Sequence, residues 1–403
     1  MFSFGRPKTE LGVVFDIGSS SVGAGLALFE KGSPTRILYT MRKPISFDEK
    51  PVPERFFKDM LSVLGQANIA IIKEGMEKLR LTEYADLSIR HVTYIFSSPW
   101  SVSQTKIAVI EKPDPFTFTK SMVDRIIDEN ERLFEAETIE ADEKSLREKL
   151  SVIEKRVIHV SLNGYQIAEP YGKKTRRAEV SFLTSLAPKV VTDRIAEVSM
   201  TAYHPKDTRF FSFSLAAFSM IRDSFHNTDD FVFLDVGGEI SEISVVKKGL
   251  MLETVSFPAG FRSLVRKVAK EFATTYSEAE SLVKINADGN ADGALREKIQ
   301  PVIEEAAREW SVTFHDLLSK LSTRTSLPQD LFANANSDLA HFFIRSIKQE
   351  KISQFGIQEV PFAVTFLSAD KLKDSVVFLP GAEKDLSMAL IIGFVGRSGL
   401  ESY

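Results

Sequence analysis

Two similar runs of apolar residues, each broken by an aspartate, glycine and small polar residues, begin the two halves of the chain. The first is Val13–Val22 (VVFDIGSSSV), which leads through a second apolar run to a Lys-Gly turn at Lys31. The second is Phe231–Ile240 (FVFLDVGGEI), which leads in the same way to a Lys-Gly turn at Lys248. Short apolar runs bounded by turn residues predict β-hairpins. The sequence therefore predicts one kind of hairpin, used twice.

Other elements follow from the same patterns. A further strand is predicted after each hairpin, at Arg36–Met41 and Leu250–Phe257. Strands are also predicted at Val92–Phe96, Lys106–Ile110, Val157–Val160 and Glu179–Leu183, and helices at Thr119–Glu135 and Lys189–Ala202. Between Ile299 and Trp310, apolar residues recur at helical spacing, which predicts a helix. The charged run Glu135–Lys149 is typical of a solvated helix face or linker.

The tips of the two hairpins carry the residue types that bind phosphate. Gly18 in the first tip, and Gly237 with Gly238 in the second, allow tight turns with exposed N–H groups, which form concave sites for anions. Ser19, Ser20 and Ser21 add hydroxyl donors to the first tip. Asp16 and Asp235 end the preceding strands, where each is expected to hold Mg²⁺ through water. The spacing of the P-loop and of the dinucleotide-binding motif is absent.

Composition narrows the range of functions. The 403 residues are 43% hydrophobic and 26% charged, as in an ordinary globular protein, and the net charge of -4 argues against a nucleic-acid binder. With no cysteine and six scattered histidines, disulfide scaffolds and zinc enzymes are excluded. The most apolar late run, Met388–Val395, is far shorter than the roughly 20 residues of a membrane-spanning helix. Any membrane role is therefore expected to depend on a partner.

The two hairpins and the segments that follow them resemble the actin-like ATPase superfamily, above all its FtsA and PilM branch. The resemblance covers nearly the whole chain, and its motifs occur in the family's order: Asp16–Val22, Val157–Val160, Ser214–Phe218, Phe257–Gly260, Ser277–Glu280 and Asp385–Arg397. It implies an α/β, two-lobed actin-like fold (the actin, Hsp70 and ribonuclease H type) that clamps ATP with Mg²⁺ between its lobes. It also implies that Gly260 and Glu280 lie near the nucleotide.

The same resemblance predicts how the chain is divided. Residues 1–85 and 207–228 would form the first lobe, and 86–206 an inserted α+β subdomain of the SHS2 type. Residues 229–262 and 327–403 would form the core of the second lobe, and 263–326 its helical subdomain. The inserted subdomain is expected to be the main surface for protein contacts. It carries a basic run at Lys173–Arg177, and an edge strand there is expected to accept a partner's tail as an added strand.

Four departures from the family pattern bear on catalysis. Glu239 replaces a glycine of the second tip, so its carboxylate is expected to point away from phosphate or to sit on a cation. Val283 stands where the Ala-Glu motif has lysine, with Lys284 one place late. The adenosine segment, Leu331–Asp338, has no glycine, and Phe211–Ser214 has no Glu or Gln to orient water. Asp16 and Asp235 remain the candidate catalytic and metal-positioning residues, and we expect slow or absent ATP hydrolysis.

The resemblance therefore predicts a cytoplasmic scaffold that organises other proteins at a membrane machine for pilus assembly or cell division. Partners would be the cytoplasmic tail of an inner-membrane protein or the division tubulin, with self-association as a further option and no nucleic acid. The chain stops at Tyr403, after its closing helix and without an anchor, which favours the PilM mode. Two alternatives stay open: a pseudo-ATPase that binds only proteins, and a small-molecule kinase, for which no motif supplies a base.

Overall fold

Two mixed β-sheets, each beginning with an antiparallel meander, form the framework of the protein. They are seen in a computed structural model that describes residues 9–46, 52–140, 149–225, 228–334, 342–343, 347 and 362–398. The first sheet runs in the order β15-β3-β2-β1-β4-β9. Its strands are β1 (Glu10–Ile17), β2 (Ser21–Phe29), β3 (Thr35–Pro44), β4 (Ile89–Phe96), β9 (Asp207–Ser212) and β15 (Val376–Phe378).

Helices cover both faces of this sheet. Successive side chains of a strand point to opposite faces, so Phe15 packs among residues of α1 and α4, whereas Val14 packs among residues of α5 and α9. These helices are α1 (Pro53–Ala70), which continues through a π-helical turn (Ile71–Gly75) into α2 (Met76–Arg80), with α4 (Lys189–Tyr203), α5 (Phe213–Ser224) and α9 (Leu386–Ser398). Pro53 stands in the first turn of α1, where no N–H partner is needed.

The second sheet repeats the plan in the order β12-β11-β10-β13-β14. Its strands are β10 (Phe231–Val236), β11 (Ser241–Lys247), β12 (Leu250–Phe257), β13 (Asp330–Asn334) and β14 (Ala363–Phe366). On one face lie α6 (Phe261–Glu271), α7 (Tyr276–Ala287) and α8 (Gly293–Ser322), around Trp310. On the other face, Phe231 and Phe233 join the same apolar cluster as α5. The helix α5 is therefore shared by the two sheets.

A smaller sheet is inserted between β4 and α4. It has the order β5-β8-β6-β7 and packs one face on α3 through an apolar cluster around Phe182. Its elements are β5 (Val102–Thr117), α3 (Lys120–Glu140), β6 (Leu150–Leu162), β7 (Tyr165–Gln166) and β8 (Lys174–Pro188). In the described part of the chain, no helix is both long and apolar enough to cross a membrane.

The predicted strands and helices all coincide with observed elements, but two predicted boundaries differ from the sheet pairing. The strand β4 lies within the predicted inserted subdomain 86–206, yet it pairs with β1 and β9 in the first sheet. The strand β15 lies within the predicted second-lobe segment 327–403, yet it pairs with β3 of the first sheet. The pairing thus limits the inserted sheet to 102–188 and returns the end of the chain to the first sheet. Residues 141–148 of the charged run lie outside the described residues.

Candidate functional site

The tips of the two hairpins face each other across one small cavity of about 50 Å³. Both predicted metal-positioning aspartates line it, as do the predicted phosphate-binding residues of both tips: Asp16, Gly18, Ser19, Ser20, Ser21, Asp235, Gly237 and Gly238. The repeat in the sequence therefore corresponds to a real convergence in space. The strands β1 and β10 both end at the cavity, and they therefore bring Asp16 and Asp235 to the same place.

The two tips touch each other directly. The backbone N–H of Glu239 donates to the hydroxyl of Ser19 at 3.0 Å, so donor and acceptor groups of the two tips satisfy one another. A Cβ atom on Gly238 would lie 2.1 Å from Cβ of Ser20. Gly238 thus allows the two hairpins to approach this closely. The contact lies where the sequence predicted a phosphate.

The first residues of α6 are also hydrogen-bonded to the second tip. The N–H groups of Phe261 and Arg262 donate to the carbonyl oxygens of Gly237 and Gly238, at 3.0 and 2.9 Å. A Cβ atom on Gly260 would lie 2.3 Å from the carbonyl oxygen of Gly238, so only glycine fits there. The first N–H groups of a helix are a ready anion site, but here protein carbonyls already hold two of them. Gly260 therefore has a packing role in this arrangement.

Arg262 ties the second lobe to the first. Its guanidinium is buried and donates to the carbonyl oxygen of Ser20 at 3.2 Å and to that of Ile45. Glu239 lies beside it, 3.4 Å from Arg262 and 2.5 Å from Arg266. The expectation that the Glu239 carboxylate sits on a cation is met, and the cations are protein side chains.

Arg42, from β3, supplies a second internal cation at the first aspartate. Its Nη2 lies 2.8 Å from Asp16, its Nε lies 2.7 Å from Asp385, and its Nη1 donates to Ser21 at 2.9 Å. Burial would raise the pKa of Asp385, but the Arg42 guanidinium and the N–H of Met388 hold it below its usual range. One carboxylate oxygen of Asp16 is therefore already paired with arginine, although burial raises the pKa of this aspartate.

Among the described residues, no cation forms an ion pair with the second aspartate, although the Arg42 charge lies near enough to lower its pKa. Asp235 accepts a hydrogen bond from Asn334 at 2.7 Å, and burial, with a contribution from nearby Glu242, raises its pKa to about 7. Glu242 stands opposite Asp235 across the β10–β11 pair and accepts a hydrogen bond from Ser214 at 2.5 Å. Burial raises the pKa of Glu242 as well. Across the described ranges, no cluster of three or more metal-ligating side chains occurs.

Sequence reasoning missed several residues of this site. Glu242 places a carboxylate at the start of α5, where we expected none. Arg42 and Arg262 had no motif to reveal them, and the closing-helix motif that contains Asp385 did not indicate its ion pair. By contrast, Glu280 is not among the cavity-lining residues; it pairs with Lys284 at 2.7 Å on the surface of α7. Residues 335–338 of the expected adenosine segment lie outside the described residues.

ATP with Mg²⁺ does not fit the cavity in this arrangement. Pockets that bind small molecules usually measure about 300–1,000 Å³, whereas this one measures about 50 Å³, enough for a few water molecules. The groups expected to meet phosphate instead meet one another, and Arg42 holds the aspartate expected to meet the metal. What the geometry achieves is a clasp between two lobes, made of hydrogen bonds and close backbone contacts, while the buried ion pairs lie within each lobe.

Comparisons with known proteins identify the fold of the chain. No family model matches the chain, and no curated protein matches it. Among solved structures, a chain of the PilM-PilN type IV pilus biogenesis complex matches with a TM-score of 0.58 and 12% identity, over 97% of this chain and 99% of that one. The ethanolamine utilization protein EutJ from Carboxydothermus hydrogenoformans matches with a TM-score of 0.41 and 11% identity, over 97% and 90% of the two chains. A Bacteroides thetaiotaomicron protein of unknown function matches with a TM-score of 0.40 and 10% identity, over 97% and 98%. The chain has the actin-like ATPase fold.

Proposed function

We propose that this protein is a scaffold of the PilM type, which holds a segment of a partner protein and needs no bound nucleotide to do so. The scaffold role is supported by the fold match over almost the whole length of both chains, since the matched structure is a complex of PilM with PilN. By analogy, the partner here is a membrane protein of a type IV pilus assembly machine. This step from fold to role is an analogy, and it needs its own test.

The position of Arg42 supports the second part of the proposal, that the scaffold needs no bound nucleotide. A guanidinium between Asp16 and Asp385 supplies, from within the chain, the positive charge that a metal-bound nucleotide would otherwise bring. Nucleotide binding would have to break this buried pair and separate Ser20 from Gly238. Because Gly238 packs directly on Ser20 and Arg262 donates to the carbonyl oxygen of Ser20, the closed arrangement is complete without a ligand.

The partner's segment would hold this chain at the cytoplasmic side of the inner membrane. The match to the pilus complex favours pilus assembly over the alternative partner, the division tubulin. Self-association remains compatible with this role and is a separate property to measure.

A second candidate is a scaffold that binds ATP with Mg²⁺ after its lobes separate. The observation that favours it is the duplication itself: both hairpins end at one cavity. In the part of the chain that the structure describes, no cation forms an ion pair with Asp235 or Glu242 there. In this candidate, Gly18, Ser19–Ser21, Gly237 and Gly238 would meet phosphate in the open form. Asp16 and Asp235 would then meet the metal.

Purification from the native cells tests the proposal. A tagged chain should be recovered from the membrane fraction with one integral membrane protein of the pilus machine, and deletion of the gene should abolish surface pili. Treating the extract with apyrase and EDTA should leave the yield of that partner unchanged. Recovery of the chain with no membrane protein would contradict the scaffold role, and loss of the partner after apyrase would favour the second candidate.

A further inference from the structure

A second cavity lies at the end of the first sheet that is remote from the clasp. The strand β2 begins at Ser21, which lines the clasp cavity, and it ends at Phe29, shortly before the second one. Three segments form the walls of this second cavity, which we call the turn cavity: residues 31–35 of the β2–β3 turn, residues 374–375 before β15, and residues 396–397 in the last turn of α9. Its volume of about 370 Å³ is within the range of pockets that bind small molecules, about 300–1,000 Å³.

The walls of the turn cavity are joined to one another by hydrogen bonds. The N–H of Thr35 donates to the carbonyl oxygen of Ser375 at 2.9 Å, which joins the turn to the residues before β15. Arg397, from α9, donates to the hydroxyl of Ser375 at 2.6 Å and pairs with Asp223 of α5 at 3.1 Å. Gly396 lets α9 approach the turn, because a Cβ atom there would collide with Oγ1 of Thr35. The cavity is therefore a built part of the fold and not a gap between unconnected loops.

The hydroxyl of Thr35 is a buried polar group at the wall of the turn cavity. Thr35 lines the cavity and is 3% exposed. Its Oγ1 points towards Gly396, another lining residue, and forms no hydrogen bond with any described residue. Buried hydroxyl groups normally have a hydrogen-bond partner. A polar group of a bound molecule would supply one here.

Two opposite charges line the turn cavity. Lys31 and Asp374 are both exposed there, and neither forms an ion pair with another described residue. Arg397 is already held by its ion pair with α5, and Glu30, beside Lys31, is paired with Arg36 at 3.3 Å. The end of α9 adds partial negative charge to the wall, since the last carbonyl groups of a helix lack partners within it. The cavity thus presents one cation and one anion to a ligand.

This pair of charges selects the chemical class of the ligand. A simple anion would be attracted by Lys31 but repelled by Asp374, and for a simple cation the two effects are reversed. A neutral sugar would leave both charges unused. A small molecule with one positive and one negative group satisfies both charges, and the Thr35 hydroxyl can bond to either group, since it both donates and accepts.

We infer that the turn cavity binds a small zwitterion with one amino group and one carboxylate, the chemistry of a free amino acid. The carboxylate would lie near Lys31 and the amino group near Asp374, and the hydroxyl of Thr35 would hydrogen-bond to one of them. This inference goes beyond the proposed scaffold function and does not depend on it, because the described walls of the turn cavity share no residue with those of the clasp cavity.

Thermal unfolding of the full chain with free amino acids tests this inference. The probes are the standard amino acids, each at about 10 mM, because a ligand in large excess over its Kd raises the melting temperature. At least one should give a saturable rise, and calorimetry then measures its Kd. The amine that lacks the carboxylate and the acid that lacks the amino group, both with the same side chain, should each bind more weakly by roughly five-fold or more.

Three variants assign the binding to the turn cavity. Thr35→Val removes one hydroxyl and nearly preserves the shape, so it should weaken binding roughly ten-fold and leave the melting temperature of the free protein unchanged. A hydroxyl that held the fold would instead cost stability when removed. Lys31→Gln and Asp374→Asn should each weaken binding about three-fold, as expected for exposed charges. The matched controls are Thr117→Val, at an exposed position of β5, and Lys248→Gln, in the corresponding turn of the second hairpin, and both should leave binding unchanged.

Four results would overturn the inference. If no amino acid raises the melting temperature, this ligand class is excluded, and equal binding of the amine or of the acid alone would exclude recognition of both charges. Binding that survives Thr35→Val and Lys31→Gln unchanged would place the ligand elsewhere. Binding only by a chain without residues 399–403, which come directly after α9, would assign the cavity to that segment instead. None of these results affects the scaffold function, which depends on recovery of a membrane partner.

Discussion

At the scale of single residues, Arg42 bridges two carboxylates, Asp16 and Asp385, that come from opposite ends of the chain. Asp16 and Asp235 were predicted from a repeated pattern, and both line the cavity. Arg42 was not predicted, because its partner Asp385 is 343 positions away and no motif connects them. The glycines were predicted for phosphate, yet Gly238 and Gly260 are needed here for close contact with protein atoms. A glycine in the sequence indicates that the backbone can turn tightly or be approached closely. Which atoms then pack against that glycine depends on the folded chain.

The variant Arg42→Ala should lower the free energy of unfolding by about 3–5 kcal/mol, because it leaves Asp16 and Asp385 without their cation in a mostly buried site. The control is Arg194→Ala, which removes the exposed pair with Glu197 at 2.6 Å and should cost less than about 1 kcal/mol. Urea unfolding followed by circular dichroism measures both. Similar losses for the two variants would show that Arg42 does not stabilise the site around Asp16 and Asp385.

At the scale of elements, the hairpins, the strands of the inserted sheet and the helices were predictable because each has a local apolar period. Sheet membership was not, since pairing joins segments that are distant in sequence: β4 belongs beside β1, and β15 beside β3. The inserted sheet meets the first lobe through Glu154 of β6. Its buried carboxylate accepts hydrogen bonds from Ser185 at 2.6 Å and from Ser212, the N-cap of α5. An isolated glutamate in a strand gives no sequence signal for such a role.

Glu154 should make stability depend on pH. Burial raises its pKa from an ordinary value of 4.5 to about 7, although the Ser185 and Ser212 hydrogen bonds oppose the rise. Between these values, the folded protein keeps a proton that the unfolded chain has lost, so its stability falls as the pH rises through this window. The loss amounts to about 1.4 kcal/mol per unit of pKa difference and levels off above pH 7.

The variant Glu154→Gln cannot ionise, so its free energy of unfolding should fall less than that of the wild type between about pH 5 and 8. Asp235 and Glu242 titrate in both proteins, and the difference between the two pH profiles isolates Glu154. Glu77→Gln, at an exposed position of α2, controls for the loss of a surface charge. Parallel profiles for the wild type and Glu154→Gln would contradict a raised pKa at this junction.

At the scale of the whole molecule, two lobes of related design are clasped along one line of contacts. Arg262 reaches from the second lobe to carbonyl oxygens of the first, and the hairpin tips touch. Within the first lobe, Arg42 joins β3 to the beginning of α9. The duplicated hairpin indicated two lobes that face one site, and the resemblance indicated the fold, which the structural match confirms. The closed state of that site depends on contacts between distant segments, which no sequence pattern displays.

Thermal unfolding with and without ATP and Mg²⁺ tests the nucleotide-independent clasp most directly. A ligand that binds only the folded state at 100 times its Kd adds about 2.7 kcal/mol of stability, which a melting curve detects. With ATP and Mg²⁺ each at about 1 mM, we expect the melting temperature of the wild type to stay unchanged. A saturable rise in melting temperature that is lost in both Asp16→Ala and Gly237→Val would show that nucleotide enters between the hairpins, and would contradict the account.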